Sequence, residues 1–212
     1  MLDLGTSFVA SVARDPHALA MVDGGVRLTY AQWYSRISSV VAAFDRIGLK
    51  PGDHLVTVLQ NCEAAATLHW ACQLAGIVIT PINWRAKEDE LDFCIENSES
   101  CAVVYQDVSA AAVEKSKRAQ ALATIYVGSD DAAGNFDFHR MAAERSSDVT
   151  PRVSAEAWSI MLYTSGTTSR PKGVPRRHRA ERAAGIAHVA QNLYRRGERT
   201  LGVMPLYHTM GV

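Results

Sequence analysis

The feature that most constrains the fold is a repeated change of hydrophobic period along the first two thirds of the chain. Continuous apolar runs rich in β-branched residues occupy residues 54–59, 77–82, 101–105 and 124–127. Segments with helical spacing of apolar residues lie between them, at residues 62–75, 87–97 and 110–122. Continuous apolar strands are typical of sheets buried on both faces, and strands that alternate with helices form βαβ units. The pattern therefore predicts an α/β fold with a parallel sheet and helices on both of its faces.

The strongest single element is a helix over residues 30–47. Its apolar residues repeat in alternating steps of three and four, which places them on one helical face. Thr29 and Gln32 have the spacing of a capping box at the start of this helix. Gly48 favours the left-handed backbone conformation that often ends a helix. Both ends of the helix are therefore defined by local sequence.

Charge and cysteine content argue against several classes of function. The 212 residues include 22 basic and 22 acidic side chains, so no overall field attracts nucleic acid or an anionic membrane. The four cysteines show no C-x-x-C pair and have no nearby group of histidines. This spacing favours buried free thiols over a zinc site or a disulfide framework.

Two segments bear on localisation. The N-terminus lacks the basic start and apolar core of a signal peptide. The apolar stretch at residues 64–82 is long enough to consider as a membrane span, but it contains His69, Gln73 and Pro81 and divides better into a helix and a strand. We therefore expect a cytoplasmic protein without a transmembrane segment.

The last quarter of the chain begins with a further strand. Residues 159–163 form an apolar run, followed by a polar loop, a helix near residues 179–193 and a strand near residues 200–203. We therefore divide the chain into a first α/β subdomain, residues 1–158, and a second segment, residues 159–212. The second segment contains the loop and the start of another α/β subdomain.

The polar loop has the sequence Thr164-Ser165-Gly166-Thr167-Thr168-Ser169-Arg170-Pro171-Lys172-Gly173. Small hydroxyls and accessible backbone N–H groups suit phosphate oxygens, and Lys172 adds a countercharge. The loop is not a Walker A motif, because no glycine precedes Lys172 and Gly173 stands where that motif requires Ser or Thr. From these residues alone, a phosphate-binding site and an ordinary flexible loop both remain open.

Two motifs of this chain resemble core motifs of one enzyme superfamily. Residues 163–174 resemble the phosphate-binding signature of the adenylate-forming (AMP-binding) superfamily, which includes acyl- and aryl-CoA synthetases. The string Met204-Pro205-Leu206-Tyr207-His208 resembles the next core motif, hereafter the second motif. Similar segments at residues 28–30, 48–53, 73–76 and 81–85 extend the resemblance over nearly the whole chain.

The resemblance implies a two-step reaction on a small-molecule carboxylic acid, with ATP, Mg²⁺ and CoA. The acid reacts with ATP to give an acyl-adenylate and pyrophosphate, and the thiol of CoA then displaces AMP to form a thioester. By match to the signature, the residues expected to hold the ATP phosphates are Thr164, Ser165, Gly166, Thr167, Thr168 and Lys172.

The resemblance also implies roles for two residues outside the loop. His208 matches the aromatic residue of the second motif and is expected at the acyl pocket, where it joins Lys172 as a catalytic residue. Arg85 matches a position that contacts a CoA phosphate in some aryl-CoA ligases, although a merely solvated arginine is the alternative. No metal-ligating residue is identified. Pro175 departs from the family pattern: without an N–H it restricts its strand to an edge or a short stub.

Motifs that members of the superfamily carry further along their chains have no counterpart here. The chain is therefore expected to be an N-terminal fragment of an ATP-dependent ligase for an aryl or fatty acid, inactive alone. The alternative is a natural half-length module that binds a nucleotide or a partner without catalysis. An unrelated phosphate-loop NTPase is disfavoured because no Gly-Lys-Ser/Thr triplet is present. A sheet that is cut short exposes an edge and an apolar face, so we also expect self-association.

Overall fold

A computed structural model of the chain describes residues 2–128, 134–164 and 170–211. The helices in these ranges are α1 (Leu4–Arg14), α2 (Tyr30–Ile47), α3 (Glu63–Ala75), α4 (Glu88–Asn97), α5 (Asp107–Lys115), α6 (Phe138–Ala143) and α7 (His178–Gln191). The strands are β1 (Leu19–Asp23), β2 (Val26–Thr29), β3 (His54–Val58), β4 (Val78–Pro81), β5 (Ala102–Tyr105), β6 (Ala123–Tyr126), β7 (Phe136–Asp137), β8 (Trp158–Thr164) and β9 (Lys172–Arg177).

Seven strands form one sheet in the order β7-β6-β5-β3-β4-β8-β9. Neighbouring strands from β7 to β8 run parallel, and β9 pairs with β8 antiparallel at the edge of the sheet. The crossovers from β3 to β4, from β4 to β5 and from β5 to β6 contain α3, α4 and α5, respectively. The predicted α/β fold with a mainly parallel sheet is therefore confirmed, while β1 and β2 form a separate two-stranded hairpin.

Helices cover both faces of the sheet and enclose two hydrophobic cores. Leu55 of β3 and Leu162 of β8 enter the first core together with Phe44 of α2, and we call this the α2/α3 core. Val56 of β3 enters the second core together with Leu91 of α4, and we call this the α4/α5 core. Alternation of side chains along each strand therefore assigns successive residues to opposite cores.

The structure confirms the predicted helix over residues 30–47 and both of its ends. The Thr29 hydroxyl accepts a hydrogen bond from the Gln32 N–H at 3.2 Å, and the Gln32 side chain accepts one from the Thr29 N–H at 2.9 Å. Gly48 has φ 95°, the left-handed conformation expected of it. A capping box and a glycine end of this kind need only local contacts, so sequence suffices to predict them.

The helix predicted over residues 110–122 is interrupted. The structure has α5 and then a short 3₁₀ helix, Ala119–Ala121, separated by Ser116 in an extended conformation. The Ser116 hydroxyl donates to Asp92 at 2.5 Å and accepts from the Ala119 N–H at 3.0 Å. A serine that bonds the next turn and a neighbouring helix in this way competes with continuation of its own helix.

Two expectations about the last quarter have different outcomes. The strand predicted near residues 200–203 is wrong: these residues form no strand, and Leu201 and Val203 are 83% and 71% exposed. The restriction expected from Pro175 is confirmed, because β9 is an edge strand that contains it. The sheet crosses the proposed boundary, because β8 and β9 join the same sheet as β3 and β4. The division of the chain at residue 158 stays a prediction.

The remaining findings concern the N-terminus, the thiols and the membrane question. Neither α1 nor the β1–β2 hairpin was predicted. All four cysteines are free; Cys72 and Cys94 are buried as expected, whereas Cys62 is partly buried and Cys101 is exposed.

The stretch at residues 64–82 divides into α3 and β4, as predicted. Within the described ranges, no helix combines the length and apolar character that a bilayer crossing requires.

Candidate functional site

The parallel strands end together at one edge of the sheet, which we call the carboxyl edge. Asn61 follows β3, Arg85 follows β4, and Thr164 is the last residue of β8. Ligand sites of open parallel sheets lie outside the carboxyl ends of the strands. The fold therefore brings three separate polar segments of the chain to the place where a site is expected.

Thr164 and Lys172 lie directly opposite each other in the β8–β9 pair. Opposite residues of an antiparallel pair project to the same face, with Cβ atoms about 4.5–5.5 Å apart. Ile160 and Leu162 enter the α2/α3 core, so alternation along β8 directs Thr164, and with it Lys172, to that same face. Both side chains are exposed. A hydroxyl and an ammonium group thus stand side by side at the carboxyl edge, where both can donate to an anion.

The middle of the predicted phosphate loop lies outside the described residues. This applies to Ser165, Gly166, Thr167 and Thr168, and also to Ser169. Of the predicted phosphate ligands, the structure brings together Thr164 and Lys172. The roles of all six residues stay predictions.

Asn61 holds the second motif at the carboxyl edge. Its side-chain amide donates to the carbonyl oxygens of Gly202 at 3.1 Å and Met204 at 2.7 Å. Its Oδ1 accepts a hydrogen bond from the Leu206 N–H at 2.9 Å. Two of these hydrogen bonds attach the motif, and the third attaches Gly202 just before it, to the segment that follows β3, although the motif lies more than 140 residues further along the chain.

His208 lies in a turn at the end of the second motif. Its N–H donates to the Pro205 carbonyl at 3.0 Å, and its own carbonyl accepts from the Gly211 N–H at 2.8 Å. The ring Nδ1 accepts a hydrogen bond from the Met210 N–H at 3.4 Å, and the side chain is exposed. His208 does not line the cavity that its motif borders, and its role at an acyl pocket stays a prediction.

A cavity of about 230 Å³ lies between α3, the ends of β3 and β4, and the second motif. Leu59, Trp70, Ile79 and Leu206 contribute to its mainly apolar lining, and His69 and Tyr207 are titratable side chains in it. Ile79, like Leu162, belongs to the α2/α3 core, so the cavity opens on the same face as Thr164 and Lys172. An apolar space of this kind suits a hydrocarbon or aromatic group.

His69, which lines the cavity, interacts electrostatically with His178, which does not line it. Burial lowers the pKa of His69 to about 4, and the positive charge of His178 acts in the same direction. Burial also lowers the pKa of His178, whose side chain is fully buried at the start of α7. Its Nδ1 accepts from the Leu4 N–H at 3.3 Å, and its Nε2 has no hydrogen-bond partner among the described residues. Both rings are therefore neutral near pH 7.

Arg85 is exposed at the carboxyl edge, next to the end of β4. Its guanidinium carbon lies 3.7 Å from the centroid of the Trp84 ring, a cation–π contact. Its N–H donates to the Asn83 side chain at 3.0 Å. The stacking holds the positive charge at the same edge as Lys172, but a contact with CoA stays a prediction.

Comparison with known proteins gives the family. Residues 8–212 match the family described as "AMP-binding enzyme". The matched range includes the whole seven-stranded sheet, the phosphate-binding signature and the second motif. The chain belongs to the AMP-binding enzyme family. The resemblance seen in the sequence is thereby confirmed.

Curated members of the AMP-binding family are similar over nearly all of this chain. A fatty acid–[acyl-carrier-protein] ligase, ScoC, of Streptomyces coeruleorubidus is 29% identical over 98% of the chain and 39% of its own length. A crotonobetaine/carnitine–CoA ligase of Shigella dysenteriae is 28% identical over 91% of the chain and 40% of its own length. A feruloyl-CoA synthase of an Amycolatopsis species is 28% identical over 97% and 39%, respectively. The chain thus spans about two fifths of these AMP-binding enzymes.

Solved structures agree with this assignment. MatB from Rhodopseudomonas palustris, in a structure described as ATP-bound, has a TM-score of 0.84 and 25% identity over 100% of this chain and 42% of its own. The N-terminal domain of FACL13 from Mycobacterium tuberculosis has a TM-score of 0.85 over 98% of this chain and 52% of its own. At 22% identity the latter shows the fold alone. The sheet and its helices are therefore those of the N-terminal part of AMP-binding enzymes.

Sequence reasoning did not single out Asn61, His69 or Trp70 as residues of the site. A signal for Asn61 was available, because a polar residue directly after a buried parallel strand lies at the edge where sites form. His69 and Trp70 had no such signal. In sequence they are ordinary members of an apolar helix, and only the packing of α3 directs them into the cavity.

Proposed function

We propose that this chain is the N-terminal, phosphate-binding part of a cytoplasmic, ATP-dependent acid–CoA ligase. The complete enzyme joins a carboxylic acid to ATP, releases pyrophosphate and transfers the acyl group from the adenylate to CoA. The 212-residue chain alone contributes phosphate binding and does not complete the thioester. Its span of about two fifths of the matched relatives supports the second statement.

One observation supports this function above others: a donor pair and an apolar cavity share one face of the sheet at its carboxyl edge. Thr164 and Lys172 supply the donors, and Leu59, Ile79 and Leu206 contribute to the apolar lining. In the first step ATP presents its anionic phosphates beside a carboxylic acid that carries a hydrocarbon or aromatic group. A donor pair and an apolar cavity on one face match these two reactants.

The proposed chemistry begins with attack of a carboxylate oxygen on the α-phosphorus of ATP. The bond from the α-phosphorus to the bridging oxygen breaks, and pyrophosphate leaves with the electron pair. Lys172 and Thr164 donate to the departing phosphates, and donors already in place where charge develops lower such a barrier. In the second step the thiol of CoA loses its proton and adds to the acyl carbonyl, and AMP leaves with the electron pair of the broken C–O bond.

Magnesium accompanies ATP in the expected reaction. Within the described residues no group of three or more His, Cys, Asp or Glu side chains lies close enough to hold a metal ion. We therefore assign no step to a magnesium ligand of this part of the chain.

We propose an aryl or fatty acid as the substrate class. The apolar lining of the cavity supports it, as do relatives named for fatty acid and feruloyl substrates. Arg85 is the candidate contact for a CoA phosphate, because its exposed guanidinium is held on Trp84 at the carboxyl edge. His208 is the candidate residue of the second motif at the acyl group.

Replacing Lys172 with alanine in the complete enzyme tests the proposal. Pyrophosphate is present only in the first step, so Lys172→Ala should impair adenylation much more than thioester formation. Loss of one charged donor to a developing anion costs about 2–4 kcal/mol, or roughly 30- to 1000-fold in rate. ATP–pyrophosphate exchange measures the first step, and single-turnover transfer from a preformed acyl-adenylate to CoA measures the second.

Lys50 provides a matched control. It is an exposed lysine before the amino end of β3, at the opposite edge of the sheet, so Lys50→Ala should leave both rates unchanged. Equal losses in both steps for Lys172→Ala would contradict the phosphate role. The 212-residue chain, given ATP, Mg²⁺, CoA and a panel of acids, should release no AMP above background. Acid-dependent AMP release would contradict its proposed inactivity, whereas ATP binding in a gene product that ends here would favour the half-length module.

A further inference from the structure

The last turn of α4 contacts β8 directly behind Thr164. The Tyr163 hydroxyl donates to Asn97 Oδ1 at 2.8 Å, and the Cys94 carbonyl is a second acceptor at 3.2 Å. Tyr163 packs against the α4/α5 core, the face opposite to the one that Thr164 and Lys172 share. Burial raises the pKa of Tyr163 to about 12, so the phenol keeps its proton near neutral pH and remains a donor.

The same end of α4 also lies near β9, the second strand of the β8–β9 hairpin, and near Arg170, which precedes β9. Gly173 of β9 lies opposite Tyr163. A Cβ atom on Gly173 would lie 2.9 Å from Met161 Sδ of β8, which leaves little room for a side chain there, and 3.4 Å from Asn97 Oδ1, which is ordinary contact distance. The Arg170 guanidinium lies 5.5 Å from the centroid of the Phe93 ring, which is itself 6.5 Å from the Tyr163 ring.

These contacts join Tyr163 and Arg170, which lie on either side of residues 165–169, to one helix, α4. β9 is an edge strand whose neighbour within the sheet is β8, and Pro175 removes one donor from that pair. The β8–β9 ladder extends to the Thr164–Lys172 pair, but β8 is paired with β4 at Ile160, so pairing with the rest of the sheet restrains the loop end of the β8–β9 hairpin only weakly. Contacts from α4 to Tyr163 and Arg170 restrain that end from the face opposite to Lys172.

We propose that Phe93 and Asn97 of α4 are positioning residues for ATP, because they fix the hairpin that presents Thr164 and Lys172 to the phosphates. This inference rests on the proposed phosphate site. Neither α4 residue contacts the nucleotide in this scheme. Their loss should widen the range of positions that the Lys172 ammonium occupies, and so weaken ATP binding without unfolding the sheet.

A double-mutant cycle on the 212-residue chain tests the proposal, with ATP binding followed by NMR titration. Tyr163→Phe removes the donor and Asn97→Ala removes the acceptor of one hydrogen bond. Each should weaken ATP binding about 3- to 10-fold, the range expected for one such bond. Because both substitutions remove the same hydrogen bond, the ATP affinity of the double variant should equal that of the single variant with the lower affinity. Phe93→Leu, which keeps apolar volume but removes the ring beneath Arg170, should weaken binding about 2- to 5-fold.

Glu96→Ala is the matched control, because Glu96 neighbours Asn97 on α4 but pairs with Arg118, at 2.6 Å. It should leave ATP affinity unchanged, and its thermal midpoint should match that of Asn97→Ala. Two results would overturn the positioning role alone. In the first, the losses of ATP affinity in the two single variants multiply in the double variant. In the second, variants of Asn97 and Tyr163 keep the affinity of the unmodified chain while Lys172→Ala weakens binding. If the unmodified chain failed to bind ATP, the phosphate site and the positioning role would both be overturned. If Asn97→Ala did not fold, Tyr163→Phe and Phe93→Leu would decide the matter by the same criteria.

Discussion

At the scale of single residues, the partly buried histidine of the cavity, His69, makes stability depend on pH. The pKa of His69 is lowered from its ordinary value of 6.5 to about 4 by burial and by the charge of His178. Between these pH values the unfolded chain binds more protons than the folded one, so the free energy of unfolding should fall as pH decreases from about 6.5 to about 4. Above that window the contribution is fully present, and its size is about 3 kcal/mol.

His69→Gln should flatten this pH dependence, as measured by urea unfolding across the window. Part of the slope should remain, because burial lowers the pKa of His178 in the same direction, although the nearby Asp3 charge opposes it. His17→Gln is the control: His17 is exposed, and its replacement should leave the slope unchanged. An unaltered slope in His69→Gln would show that the ring is solvated when the protein is folded.

At the scale of elements, the junction between α3 and β4 depends on a glycine with no room for a side chain. Gly76 ends α3 with φ 76°, and a Cβ there would lie 2.4 Å from Val153 Cγ1. Gly48 ends α2 with φ 95°, but a Cβ there would meet nothing within 4 Å. Gly76→Ala should therefore lower the free energy of unfolding by roughly 1–3 kcal/mol more than Gly48→Ala, because it adds overpacking to the same backbone strain. Denaturant unfolding of both variants measures the difference, and equal losses would show that residues 150–154 yield without cost.

At the scale of the whole molecule, large apolar side chains are exposed on α7 and on the segment after it. Ile186, Leu193, Leu201, Val203 and Met210 are each between 52% and 83% exposed. Exposed apolar side chains in such number favour association. We expect the 212-residue chain to self-associate as concentration rises, as measured by sedimentation velocity.

Replacing Leu193 and Leu201 together with serine should shift the chain toward monomer. Val108→Ser is the control, because Val108 is also exposed, at 49%, but lies on α5 at the other side of the sheet from α3. A monomer at all concentrations in the unmodified chain would contradict the prediction. An equal shift in the control would show that general solubility, and not this surface, governs association.

The fold and the site differ in how far local sequence could predict them. Periodicity located β3 to β6 and α2 to α4 within a few residues, and Thr29, Gln32 and Gly48 marked the ends of α2. The interruption at Ser116 could not be predicted, because it depends on Asp92 of a neighbouring helix. The phosphate-binding signature and the second motif were found because their residue types are contiguous. The cavity could not be found, since its lining comes from two strands, one helix and a distant loop.

The sequence by itself determined the alternation of strands and helices, the caps and the residues of the two motifs. Each of these depends on hydrogen bonds or side-chain spacing within a few residues of chain. Only the tertiary structure decided the strand order β5-β3-β4-β8, the edge position of β9 and the attachment of the second motif to Asn61. These depend on contacts between residues far apart in sequence, whose partners are chosen by burial of both sheet faces. Local pattern specifies that a strand must be buried, but not which strand will lie beside it.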